Sequence, residues 1–108
     1  MKGPGGFGSL MKQAKRIQEE VERAQVEIAE MKVTASAGGG MVTATVNGRG
    51  DLADLKIERE VVDSNDVEML VDLVVAAVQE AQSSARRAAQ EKLGPLAQGL
   101  NLPGMLPG

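Results

Sequence analysis

The chain has 108 residues, with 12 Lys and Arg against 15 Asp and Glu for a formal net charge of −3, and contains neither cysteine nor histidine. Those absences exclude disulfides, thiolate nucleophiles, imidazole bases and the usual nitrogen and sulfur ligands of zinc, so the expectation is a non-enzyme with no cofactor and no metal. One domain by length and holding a single aromatic residue, Phe7, it must build a thin core from Val, Leu, Ile, Met and Ala.

Residues 1–8, MKGPGGFG, are Gly-rich and read as a flexible amino terminus. They break any signal peptide, and no apolar run reaches the length of a membrane span, so a cytoplasmic, soluble protein without a membrane partner is expected. Ser9 is placed to cap a first helix. From Leu10 to Met31, the residues Leu10, Ala14, Ile17, Val21, Ala24, Ile28 and Met31 recur at alternating steps of four and three, a heptad seam uninterrupted by Gly or Pro. Twenty-two helical residues make a rod of about 33 Å, longer than a small domain needs to cover its own core, so a partner helix is expected.

The charges on this rod are unevenly placed. Met1 to Arg16 holds Lys2, Lys12, Lys15 and Arg16 with no acidic residue, whereas Ile17 to Glu30 holds Glu19, Glu20, Glu22, Glu27 and Glu30 against Arg23. The helix dipole favours the reverse order. Glu19 with Glu22 and Glu27 with Glu30 fall one turn apart, but with no histidine beside them they read as a solvated face, not a metal site.

Beyond Met31 the period changes from helix to strand. Val33, Ala35 and Ala37 alternate with polar residues, Gly38-Gly39-Gly40 turns the chain, and Val42, Ala44 and Val46 alternate with Met41, Thr43 and Thr45. Asn47-Gly48-Arg49-Gly50-Asp51 is a second turn, and Leu52 to Glu58 is a third strand with Ala53, Leu55 and Ile57 on one face. This meander has one apolar and one polar face, so a helix or sheet must cover it. The triple glycine lacks the Lys-Ser/Thr and helix of a P-loop. Arg49 reads as a residue of a chain reversal, although a Gly-rich turn also brings backbone amides near a phosphate.

Asn65 with Glu68 resembles a capping box opening a second helix, which is expected to run to Gly94-Pro95. Leu70, Leu73 and Val74 are expected to cover the sheet, and the alanines further on to meet the first helix. The tail at residues 95–108 has Leu and Met scattered among Gly and Pro without a period and reads as flexible, leaving 9–94 as the single domain. Candidate packing residues, within an arm or across a dimer, are Ile17, Val21, Ile28, Val42, Leu55, Leu70, Leu73 and Val74. If both helices stand away from the sheet, the start of the first and the end of the second lie together. Lys12, Lys15 and Arg16 then join Arg86, Arg87 and Lys92 in one basic patch. Those six are the candidate DNA-binding residues, or else ordinary solvated charges on helix surfaces.

The stretch GFGSLMKQAKRIQEEVERAQVEIAEMKVTASAGGGMVTATVNGRGDLADLKIE, the segment MLVDLVVAAVQEAQSSARRAAQEKLGPLAQGL and the tail LNLPGMLPG resemble the YbaB/EbfC family of bacterial nucleoid-associated proteins. The resemblance implies an α+β fold of long helix, three-stranded antiparallel meander and long helix. It also implies a tweezer-like homodimer with sheets joined at the body and helices as arms, binding duplex DNA in the nucleoid with little sequence preference and taking no small-molecule substrate. The alternative is a protein-interaction module whose arms clamp a partner's apolar segment.

Overall fold

A computed structural model describes residues 4–100. The element order is α1 (Pro4–Glu30), β1 (Val33–Ala37), β2 (Val42–Val46), β3 (Leu52–Ile57), a short 3₁₀ turn (Arg59–Val61) and α2 (Val67–Leu100). This is the expected α+β arrangement, and the sheet is an antiparallel meander in the order β1-β2-β3.

β2 lies at the centre, with Val33 opposite Val46 and Ala37 opposite Val42 on one side. On the other side Ile57 faces Val42 and Leu55 faces Ala44. Val42, Ala44 and Val46 are completely buried, and so are Ala77, Ala81 and Ala85 of α2. Steps of four put those alanines on one helix face, and their small side chains let α2 lie close on β2. Leu70, Leu73 and Val74 join this core from α2, as do Leu55 and Ile57 from β3. The opposite sheet face is polar, with Thr34 and Thr45 sharing a hydrogen bond of 3.2 Å between hydroxyls.

Several expectations are corrected. α1 begins at Pro4, so Ser9 is inside the helix and caps nothing. Proline suits a first helical position because the N–H it lacks has no partner there in any helix. α2 passes through Pro95 to Leu100 instead of stopping at Gly94. The cap of α2 is Asp66, whose carboxylate accepts from the Met69 amide at 3.2 Å. Asn65 instead donates its amide to the Asp63 carboxylate at 2.9 Å. Ala53 does not join the apolar face of β3, because an irregularity in the pairing sets Leu52 opposite Val46 and leaves Ala53 as the extra residue of a bulge. The alanines Ala77, Ala81 and Ala85 pack in the core over the sheet, and it is the more distal Ala89 that lies beside Ile28 of α1. The expected flexibility of the two termini falls in part on residues 1–3 and 101–108, outside the described residues.

One junction fixes α1 to the sheet. The Gly48 amide donates to the Ile28 carbonyl at 2.9 Å, and the Met31 amide donates to the same oxygen at 3.2 Å, so both its lone pairs are used. A β-carbon on Gly48 would fall on that oxygen and on the Ile28 side chain. Ile28 and Ala24 are buried at this junction, Val21 and Ile17 are half-buried, and Leu10 is 64% exposed, so burial along the heptad seam fades toward the start of α1. Replacing Gly48→Ala is expected to destabilise the fold by about 3 kcal/mol through overpacking and loss of the Ile28 hydrogen bond. Urea unfolding followed by circular dichroism measures this, with Gly94→Ala, which meets no neighbour and, like Gly48, has no positive φ, as the control.

Candidate nucleic-acid interface

α2 does two things in succession. Its first half roofs the sheet, and its second half runs antiparallel to α1. Ala89 and Leu93 line a depression with Gln25, Ile28, Gly48 and Arg49. One turn further on, Leu96 lines a second depression with Glu20 and Ala24. Lys92 Nζ reaches Glu27 Oε1 at 3.2 Å across the same seam.

This pairing leaves α1 overhanging. From Ala24 back to Pro4 the helix rises about 30 Å, whereas from Leu96 to Leu100 α2 advances only about 6 Å. Among the described residues, roughly the first four turns of α1 therefore stand beyond α2. Lys12, Lys15 and Arg16 lie on this overhang and are exposed. Their i, i+3, i+4 spacing groups them on one helix face, turned away from the seam of Leu10, Ala14 and Ile17. No acidic residue occurs in α1 before Glu19.

The basic residues of α2 lie elsewhere. Lys92 sits against Glu27, fifteen residues and about 22 Å of helix from Lys12. Arg87 donates to Ser83 Oγ and Ser84 Oγ, each at 3.1 Å, and lies 3.7 Å from Glu80. Arg86 lines a depression of about 220 Å³ with Gly48, Arg49, Gly50, Gln82 and Ala89. The six candidate residues therefore do not form one patch. α2 must cover three strands before it reaches α1, so residues 86–92 fall at the root of the arm and not at its tip.

The turn at residues 47–51 is closed upon itself. The Asn47 side-chain oxygen accepts from the Arg49 amide at 2.9 Å and the Asp51 amide at 3.0 Å. The Gly50 amide donates to the Asn47 carbonyl, the Asn47 amide to Asp51, and the Gly48 amide to Ile28. All five amides are engaged, so none is left to cradle a phosphate. The turn reverses the chain, as its composition indicated, and what it offers a ligand is the Arg49 side chain beside Arg86. No periodicity or motif links residues 49 and 86; only the packing of α2 over β2 brings them together.

Among the described residues no group of three or more Asp and Glu is placed to hold a metal ion, and no helix is long and apolar enough to cross a membrane. A model of the YbaB/EbfC DNA-binding family matches residues 2–100. A nucleoid-associated protein of Rhodococcus opacus (strain B4) is 50% identical over 111 residues, covering 97% of this chain and 97% of that protein. One from Thermodesulfovibrio yellowstonii is 50% identical over 99 residues, covering 92% of this chain and 87% of its own. An uncharacterized protein of Helicobacter pylori whose crystal structure is solved matches with a TM-score of 0.58 at 24% identity, over 82% of this chain and 98% of that one, a likeness of fold.

Proposed function

This chain belongs to the YbaB/EbfC DNA-binding family, and on that premise we propose that it binds duplex DNA through backbone phosphates, with little preference for sequence. It works in the cytoplasm at the nucleoid as a homodimer, helping to organise the DNA and through that binding influencing gene expression. It has no catalytic role. The observation that carries this reading is the overhang of α1, where Lys12, Lys15 and Arg16 share one exposed face ahead of the first carboxylate. A rod of helix tipped with cations fits a negatively charged groove or strand, and contacts to phosphate need no particular base.

The second copy is supported by what the chain leaves uncovered. The row of α2 that meets α1 at Leu96, Leu93 and Ala89 continues at helical spacing through Val78 to Val75 and Val71, where α1 no longer reaches. Val67, Val71 and Val75 are 57%, 51% and 46% exposed. Among the described residues only Val42 and Val46 supply large side chains with full burial, so a further apolar face pressed against its own copy adds burial that one chain lacks. This supports a joint at the body, beside the sheet.

Two experiments test these statements. Substituting Lys12, Lys15 and Arg16 together by Ala is expected to weaken binding to a fluorescent duplex about tenfold or more in ~0.1 M salt, with the far-ultraviolet circular dichroism unchanged; equal affinity rejects the overhang as the site, and a wild-type chain that binds no duplex at low salt rejects the function. Val71→Lys with Val75→Lys is expected to convert a dimer to a monomer in sedimentation equilibrium, where each chain contributes 11.3 kDa. A dimeric variant or a monomeric wild type contradicts that assignment.

A further inference from the structure

Besides the overhang, the described structure places two guanidinium groups together at the root of the arm. Arg49 projects from the β2–β3 turn and Arg86 from α2, and both line the depression that Gly48, Gly50, Gln82 and Ala89 complete. No acidic side chain lines it. Neither arginine forms an ion pair among the described residues, in contrast to Arg87 with Glu80 and Lys92 with Glu27.

Two like charges without a counter-ion repel, and the fold holds their attachment points firmly. The turn carrying Arg49 is locked by its five engaged amides and by Gln82, whose side-chain amide donates to the Gly50 carbonyl at 3.0 Å. Arg86 is one turn beyond Gln82 on the helix that packs against β2. The backbone here thus offers a rigid mount, and the charged donors that line the depression are the two guanidinium forks. An oxyanion with several acceptor oxygens satisfies both at once, since each fork donates two parallel hydrogen bonds.

The depression adjoins a second one that reaches α1. Arg49 lines it and the adjoining depression with Gln25 and Ile28. From Gln25, a step of seven along α1 leads on the same face to Gln18, which lines a groove with Met11 and Lys15. The opposite flank of α1 carries Glu20 and Glu27, and Glu22 is the one carboxylate on this flank, a turn from both Gln18 and Gln25. From Ile28, which touches Gly48, to Lys15 is about 20 Å of helix, a span of about six base pairs of duplex at ~3.4 Å each.

Resting on the duplex-binding reading, we propose that Arg49 and Arg86 form a two-arginine clamp for a DNA backbone phosphate, a second contact about 20 Å from the Lys12–Arg16 cluster. Duplex binding is measured by fluorescence anisotropy over a series of potassium chloride concentrations for wild type, Arg49→Ala with Arg86→Ala, and Lys32→Ala with Lys56→Ala as a control of equal charge. The arginine variant is expected to bind about tenfold more weakly and to lose about one to two units of the logarithmic salt slope. The control should stay within about twofold of wild type, because its lysines lie outside this track. Arg49→Lys with Arg86→Lys should recover the slope but not the affinity, since an ammonium keeps the charge and loses the fork. An arginine variant indistinguishable from the charge-matched control overturns the clamp while leaving duplex binding in place. If the wild type binds no duplex, the side-chain Nε–H resonances are titrated with pyrophosphate. Joint movement of the Arg49 and Arg86 signals then keeps an oxyanion clamp and removes only DNA as its ligand, and no movement overturns it.

Discussion

The hydrogen bond from the Gly48 amide to the Ile28 carbonyl holds the two halves of this molecule in register. The last carbonyls of a helix have no partner within it and must find one outside. Here the turn between β2 and β3 supplies it at 2.9 Å, and glycine is required because a β-carbon would occupy the place of the carbonyl oxygen. The sheet stands on one side of this contact and the arm on the other. Once the end of α1 is pinned to the turn, its direction is set by the seam it shares with Ala89, Leu93 and Leu96 of α2, and its start is carried out beyond that helix.

Charge then follows from packing. A helix that must both roof a sheet and accompany a second helix can offer only its last turns to the arm, so Arg86, Arg87 and Lys92 gather at the root. There Glu80 and Glu27 offset Arg87 and Lys92. Exposed pairs of this kind contribute little to stability, about 0–1 kcal/mol at most, but they remove net positive charge from the surface. On the overhang Lys12 precedes Glu19 by seven residues or about 10 Å of helix, whereas Lys15 and Arg16 stand one turn from Glu19 and Glu20. Since salt screens exposed charges over ~8 Å under physiological conditions, this local excess governs what approaches the tip more than the chain total of −3 does.

Much of this was legible in the amino acids. The heptad seam, the switch to alternation at Val33 and the two glycine turns report the element order because each depends on local spacing. The partners of Leu70, Leu73 and Val74 were legible for the same reason. What the sequence concealed depends on where elements meet. Pro4 and Pro95 look like boundaries, yet proline at a helix start costs nothing there, and the packing of Leu96 beside Glu20 and Ala24 accompanies a helix that continues past Pro95. Asp66 and not Asn65 is the cap because the helix opens one residue later, at Val67, so that the Asp66 carboxylate is the one in reach of the Met69 amide. Gly48 resembles any turn glycine until Ile28 is seen against it. The two basic ends meet only if both helices stand away from the sheet, a condition that the packing of α2 over the strands removes; the same geometry puts Arg49 and Arg86 on one depression, across a separation no motif spans.

A family of DNA-binding proteins, an arm tipped with cations and an apolar row left open beside the sheet are joined by the proposal that a second copy completes the body and that the arms hold DNA by its phosphates. The central claim is that phosphate, and not base, is what the protein recognises. Binding constants for two duplexes of unrelated sequence, each measured across a range of salt concentrations, test it most directly. The account predicts two coincident lines falling steeply with the logarithm of salt, at ~0.9 per phosphate neutralised; binding that ignores salt, or affinities that separate by sequence, would contradict it.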